Sequence, residues 1–259
     1  MVQIVLSGCN GAMGRVISKQ AKSREDCEIV AGIDISAQAT EGYPVFASPE
    51  ELPESYRATG DVLIDFSHPS ALEGVLTLAH RMDIPLVLAT TGLSEAQIDM
   101  VKRAAEKSAI FFSFNMSLGI NLMSALAKTA ARILGGQFDI EIIEKHHNRK
   151  IDAPSGTAIL LANAVSEALP FTPQLSYERQ SRREKRGKDE IGIHSIRGGT
   201  IVGEHELLFA GQDETLRITH TAYSRDVFAT GALSAACFMA GKPAGLYDMN
   251  ALIAQDEFR

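Results

Sequence analysis

Cysteine is scarce: Cys9, Cys27 and Cys237 are the only three in 259 residues, an odd count without paired metal-ligand spacing. That excludes a disulfide framework and fits a reduced compartment, so no structural disulfide and no metal site are expected. Positive charge is also short. With 25 Lys and Arg against 32 Asp and Glu the formal net charge is -7, and a protein that grips nucleic acid needs a cationic surplus on at least one face. The single basic run, RQSRREKRGK at 179–188, adjoins Asp189 and Glu190 and reads as a solvated loop or helix face. Long apolar runs are missing too. The uncharged apolar run Val227 to Gly241 is flanked by Asp226 and Lys242, is too short to cross a bilayer comfortably, and reads as a buried helix. No basic leader or small-residue cleavage site precedes the first glycines, which leads to the expectation of a cytoplasmic protein with no membrane partner. There is no internal repeat, low-complexity segment or proline-rich linker.

What is present is a globular balance, 45% hydrophobic and 22% charged, arranged in a clear rhythm. Short β-branched runs at 2–6, 28–34, 62–66, 85–91 and 109–115 alternate with helical patterns such as 70–82 and 94–108. The second of these helices opens on Ser94 and Gln97, a capping-box pair. Short apolar strands joined by helices predict an α/β fold, a Rossmann-type doubly wound parallel sheet covered on both faces. From about Met116 the pattern changes to helix (119–134), strand (139–144), helix (156–169) and strands at 191–196, 201–209 and 215–222, which predicts a second, α+β domain. The apolar helix at 227–241 finds no partner among those late strands and is expected to return to the first half.

Directly after the first strand stands Gly8-Cys9-Asn10-Gly11-Ala12-Met13-Gly14-Arg15, a glycine-rich turn opening a helix near Ala12. Glycines there allow backbone to approach a pyrophosphate, and the helix N-terminus favours its charge. The spacing is G-x-x-G-x-x-G, which alone also suits an ordinary strand-to-helix turn. Asp34, twenty positions past Gly14 at the end of the second strand, adds the acid that can accept hydrogen bonds from an adenine ribose diol. Together they predict a nicotinamide dinucleotide. Because Asp34 would repel a 2′-phosphate, Ile35 follows it, and no Arg or Lys occurs from Ile33 to Glu41, NADH is expected to serve at least as well as NADPH. Cys9 has no neighbouring base and reads as a cofactor-loop residue rather than a nucleophile.

The densest chemistry lies in Glu144-Lys145-His146-His147-Asn148-Arg149-Lys150-Ile151-Asp152-Ala153-Pro154-Ser155-Gly156-Thr157. Histidine can move a proton near neutral pH, a nearby lysine can bind an anion or act as an acid, and the helix opening at Gly156 offers N–H groups to a carboxylate. A merely exposed or hydrogen-bonded histidine pair is the plainer alternative. Lys145, Arg149 and Lys150 would repel a metal cation, and no third ligand joins the pair.

EKHHNRKIDAPSGTA resembles the E-x-H-H-x-x-K-x-D-A-P-S-G-T-A signature of the dihydrodipicolinate reductase family. Further matches run along the chain: GCNGAMGR at 8–15, DFSHP at 65–69, ATTG at 89–92, NMSLGIN at 115–121, RGGTIVGEH at 197–205 and THTAYSRDVFATGA at 219–232. The resemblance implies NADH- or NADPH-dependent reduction of a small cyclic dicarboxylate, with hydride arriving at ring C4 and a proton at the neighbouring carbon. It implies His146 as general acid/base, Lys150 as second proton donor, and His147, Gly156 and Thr157 as substrate-holding residues. Cofactor contacts would fall on Gly8, Cys9, Asn10, Gly11, Ala12 and Met13, on Asp34, on Ala89, Thr90 and Thr91, and on Ser113, Phe114, Asn115 and Met116. The family's usual basic residue after the acid is replaced here by Ile35. The resemblance further implies a dinucleotide-binding domain of residues 1–116 and 227–259, a substrate-binding and oligomerisation domain of 117–226 with hinges near Met116 and Asp226, and a homotetramer.

Overall fold

The computed structural model describes residues 1–38, 42–57 and 60–256. Positions 39–41, part of the stretch read for cofactor preference, and 257–259, the tail of the expected first domain, lie outside the described residues. In chain order the elements begin with β1 (Val2–Ser7), α1 (Ala12–Ala21), β2 (Cys27–Ile33), β3 (Val45–Phe46), β4 (Val62–Asp65), α2 (Leu72–Met82), β5 (Leu86–Leu88), α3 (Glu95–Ala105) and β6 (Ala109–Phe112). They continue with α4 (Leu118–Leu134), β7 (Asp139–His146), α5 (Gly156–Ala168), β8 (Gln174–Ser176), β9 (Glu190–Arg197), β10 (Gly203–Ala210) and β11 (Thr215–Ala222). The chain closes with α6 (Asp226–Met239), β12 (Gly245–Tyr247) and α7 (Met249–Asp256). Two compact units result: Met1–Leu118 with Asp226–Arg259, and Gly119–Arg225.

The first unit holds a seven-stranded sheet in the order β12-β6-β5-β4-β1-β2-β3, every pairing parallel. Alternation along β1 explains why helices cover both faces: Ile4 and Leu6 point to one side and Val5 to the other. Ile4, Leu6, Val62, Ile64 and Phe111 pack with Ile17 of α1 and with the alanine-rich face of α6. Val5, Leu63, Leu86, Leu88 and Ile110 pack with Val75, Leu78 and Met82 of α2 and Val101 of α3. Small residues let α6 come close. A Cβ on Gly231 would stand 1.7 Å from the Met116 carbonyl oxygen. The Ser94 capping box is formed, its hydroxyl accepting from Gln97 N while the Gln97 side chain accepts from Ser94 N.

Two apolar runs are shorter as strands than their composition suggested. Those at 85–91 and 109–115 leave the sheet after Leu88 and Phe112, because their polar ends bond elsewhere: the Thr90 hydroxyl donates to Asp65, and Ser113 Oγ to the Asn115 carbonyl. The strands β3, β8 and β12, two or three residues each, and the helix α7 were not anticipated.

The second unit is a mixed five-stranded sheet, β11-β10-β7-β9-β8, with α4 and α5 packed on one face. Ile140, Ile142, Ile191, Ile193, Leu207 and Phe209 form the sheet side of this core, and Ile120, Met123, Ala127, Leu161 and Val165 the helix side. No helix among the described residues is long and apolar enough to cross a membrane.

Candidate active site

The strand order of the first sheet reverses on either side of β1, and the loops after β1, β2, β4, β5 and β6 all leave from the carboxyl ends of parallel strands, where ligands of such sheets bind. After β1, Gly8 takes φ +77°, which favours glycine, and a Cβ there would meet the Phe66 carbonyl oxygen at 2.5 Å. Gly11 starts α1 without a side chain to cap it, so the first N–H groups of the helix face outward beside the turn. Asp34, just past β2, receives the Asn10 N–H on one carboxylate oxygen and the Ser36 N–H on the other, each at 3.0 Å. Lone pairs remain on both oxygens for ribose hydroxyls. A turn whose glycine positions are hemmed in by backbone, an uncapped helix start and an adjoining acid fit a dinucleotide.

The remaining expected cofactor residues differ in what they offer. Ala89, Thr90 and Met116 are buried, and Thr90 Oγ1 lies 2.5 Å from Asp65 Oδ2, so these three shape the loops from within. Phe114 is exposed and stands edge-on to Phe112, and Asn115 Oδ1 accepts from Ser117 N at the start of α4. Cys9 is buried, and burial together with nearby Asp34 pushes its thiol up to about 11. It is therefore an unreactive thiol.

In the second unit the core face of the sheet turns polar at one end. Ile140 and Ile142 on β7 are followed, on the same face, by Glu144 and His146. Pairing sets His205 of β10 opposite Glu144, His220 of β11 opposite His205, and Ser195 and Arg197 of β9 beside Glu144 and His146. Arg197 donates to both oxygens of Glu144, at 2.7 and 2.8 Å, and to the Asp152 carbonyl at 2.6 Å. His146 Nδ1 lies 2.5 Å from Glu144 Oε2, and the Ser155 N–H donates to Glu144 Oε1 at 3.1 Å. Ser155 also caps α5, its Oγ accepting from Ala158 N while contacting His205 Nε2 at 3.0 Å. Gly156 opens α5 with nothing within 4 Å of where its Cβ would be, which leaves the helix start open to a ligand.

Charge follows this geometry. Burial alone would raise the Glu144 carboxyl, but the bonds from Arg197 and His146 outweigh it and bring it down to about 2. Burial lowers His146, against the pull of Glu144 and with the push of Lys150 and Arg197. Burial and the neighbouring His146 take His205 down to about 4. Between the ordinary histidine value of 6.5 and about 4, the unfolded chain accepts a proton at His205 that the folded chain refuses. The same holds for Glu144 between 4.5 and about 2. Stability from each group is complete above its ordinary value and is lost as pH falls through its window, on the order of 3 kcal/mol each. Urea midpoints measured from pH 7 to pH 3 are expected to fall in two stages, and His205→Gln should shrink the first stage and leave the second.

Of the expected substrate residues, Gly156 and Thr157 open α5 directly after Ser155, and His147 and Lys150 follow His146 along the chain. His147 leaves β7 next to His146, and its Nδ1 is buried with no hydrogen-bond partner among the described residues. Lys150 Nζ pairs with Asp152 at 2.9 Å, on a carboxylate that is itself mostly exposed. The other cations of the segment are not part of the cluster. Lys145 alternates to the opposite face of β7, where it pairs with Glu204, and Arg149 is exposed. Sequence reasoning gives Arg197, His205, His220 and Gly203 no role, and reads Glu144 only as part of the histidine segment. The one sequence signal for most of them is the RGGTIVGEH string, which spans both the guanidinium and the second buried histidine.

Elsewhere, the 179–188 run is a loop whose Arg179 and Arg182 pair with Glu190 and whose Arg186 pairs with Asp139 and Glu141, so these three cations are neutralised locally. All three cysteines are free thiols. Asp26, Cys27 and Cys237 bring three potential metal-ligating atoms within 4.8 Å of one another, but Arg24 binds both oxygens of Asp26, at 2.6 and 2.8 Å.

A doubly wound sheet with a glycine turn at its reversal point, joined to an α+β unit that carries a buried carboxylate–histidine cluster, defines a two-unit oxidoreductase that uses a nicotinamide nucleotide. The chain belongs to the dihydrodipicolinate reductase family: residues 2–116 match the model for the family's N-terminus and 119–253 the model for its C-terminus. It is 47% identical to a 4-hydroxy-tetrahydrodipicolinate reductase from Caldanaerobacter subterraneus subsp. tengcongensis over 253 residues, 98% of each chain. A Clostridium tetani protein of the same name is also 47% identical, over 98% of this chain and 97% of its own. Among solved structures, a dipicolinate-bound dihydrodipicolinate reductase from Paenisporosarcina sp. TG-14 superposes with TM-score 0.79 at 27% identity, covering 96% of this chain and 99% of that one.

Proposed function

We propose that this protein reduces 4-hydroxy-tetrahydrodipicolinate to tetrahydrodipicolinate with NADH or NADPH, in lysine and diaminopimelate biosynthesis. The observation that carries the reading is His146, backed by an ionised buried carboxylate and set beside the open N-terminus of α5. A dicarboxylate needs two anion sites. The N–H groups of Gly156 and Thr157 at the helix start serve one carboxylate, and His147 and Lys150 the other. Lys150 gives up an ion pair to an exposed acid, which costs little. The bound nucleotide supplies the hydride. His146 acts as general acid/base toward the neighbouring ring carbon, with Lys150 as second proton donor, and the anion-binding groups hold the ring still and stabilise the charge left on it.

On the cofactor side, the turn from Gly8 to Met13 would hold the pyrophosphate and Asp34 the ribose diol, with the loops at Ala89–Thr91 and Ser113–Met116 completing the contacts. The Asp34 carboxylate disfavours a 2′-phosphate, so NADH serves at least as well as NADPH. The chain works in the cytoplasm as a homotetramer built through the second unit's sheet, whose edge strand β11 exposes Thr215, Arg217, Thr219 and Thr221 along one face. Light scattering that found a monomer would remove the tetramer.

The test is loss of nicotinamide absorbance with substrate made fresh from pyruvate and aspartate semialdehyde by the preceding synthase. Rapid, substrate-dependent oxidation is expected, with a Michaelis constant for NADH no higher than that for NADPH. Binding of NADH without turnover would overturn the reaction, and a strong preference for NADPH would overturn the role given to Asp34.

A further inference from the structure

Glu144 occupies what the strand pattern marks as a core position. It follows Ile140 and Ile142 on the face of β7 that packs against α4 and α5, and its side chain is fully buried. An ionised carboxylate there costs several kcal/mol of lost hydration unless bonds replace it, and an aliphatic side chain would fill the place without that cost. The bonds are supplied from three elements. Arg197 of β9 grips both oxygens, the Ser155 N–H reaches one from the start of α5, and His146 Nδ1 stands 2.5 Å from the other. Arg197 alone would suffice to neutralise the charge. The contact to the imidazole is the one that a purely structural ion pair would not need.

The ring has two nitrogens, and what one bonds decides what the other can do. With Nδ1 committed to Glu144, Nε2 is the nitrogen left to react. It lies over Gly203, where a Cβ would stand 3.2 Å away, so the glycine leaves it room. We infer that Glu144 is a positioning residue for His146: it keeps a proton on Nδ1, presents Nε2 as the nitrogen that exchanges a proton with substrate, and steadies the imidazolium formed when Nε2 is protonated. Arg197 keeps Glu144 ionised and oriented for this task. The inference rests on the reading that His146 is the proton-exchanging group.

The other groups facing the ring act in the opposite sense. Lys150 and Arg197 disfavour a second proton on it, as does burial, and Glu144 is the group that favours one. His205 of β10 stands edge-on with ring centres 5.2 Å apart, its Nε2 engaged with Ser155, and His220 lies opposite it on β11. Removing the Glu144 charge therefore lowers the pH at which His146 titrates.

The experiment is nitrogen-15 NMR of the histidine rings in the free, unmodified protein, repeated with Glu144→Gln and with the paired replacement Glu144→Met and Arg197→Met. The pair removes both charges together and so avoids leaving a buried guanidinium alone. The expected wild-type result is a neutral His146 carrying its proton on Nδ1. In Glu144→Gln the ring should titrate about one unit lower, and in the paired variant lower by less, because the opposing Arg197 charge is removed as well; in both kcat should fall at least about tenfold while the Michaelis constants stay within about threefold. A wild-type ring protonated on Nε2, or a titration unchanged in both variants, overturns the inference. Because the ring is read without substrate, failure of the proposed reaction would show in the turnover assay alone. A working reductase whose His146 ignored Glu144 would overturn this inference alone.

Discussion

Replacing His146 by Gln is expected to lower kcat by about two to four orders of magnitude, the usual worth of a positioned general acid or base. Glutamine keeps an amide near the position of the ring and can still meet Glu144, so the fold should survive and the loss should be chemical. NADH binding, followed by its fluorescence, should be nearly unchanged, since the glycine turn and Asp34 belong to the other unit. Loss in kcat and in kcat/KM together would mark an interaction made in the transition state, whereas a rise in KM alone would reassign His146 to substrate holding. Full activity in this variant would remove His146 from the chemistry altogether.

Gly14→Ala is expected to have the largest effect on the cofactor side. The new Cβ would stand 2.1 Å from the Gly8 carbonyl oxygen and 2.5 Å from that of Cys9. Both are backbone atoms and cannot swing aside, so α1 must move away from the turn it serves. Overpacking of this kind costs about 3 kcal/mol or somewhat more, measurable as a drop in the urea midpoint. Moving the helix start also displaces the N–H groups offered to the pyrophosphate, and affinity for NADH should weaken at least about tenfold. Gly156→Ala is the control for stability, because its methyl group meets nothing within 4 Å. If Gly14→Ala left both stability and NADH affinity unchanged, the turn would not be the cofactor's cradle.

Much of the first unit was legible because its signals are local. A β-branched run of five to seven residues, a glycine turn and a capping pair are each local to one short stretch of chain, and β1, α1, β2, β4, α2 and α3 appear where those signals lie. Strands of two or three residues carry no periodicity, and β3, β8 and β12 are strands because a neighbouring edge was free to pair them. The histidine segment was legible for the same local reason: its chemistry is contiguous. What supports it is not. Arg197 lies 53 positions from Glu144, and His205 lies 50 from Ser155.

The sequence by itself determined the alternation of strand and helix, the turn and acid suited to a dinucleotide, and a dense group of proton-moving and anion-binding side chains, because each depends only on neighbours along the chain. The tertiary structure decided which of those charges matter. The register of β7 with β9 and β10 brings Arg197 to Glu144 and holds its buried carboxylate ionised, since pairing across a sheet depends on which strands meet and no local pattern encodes that.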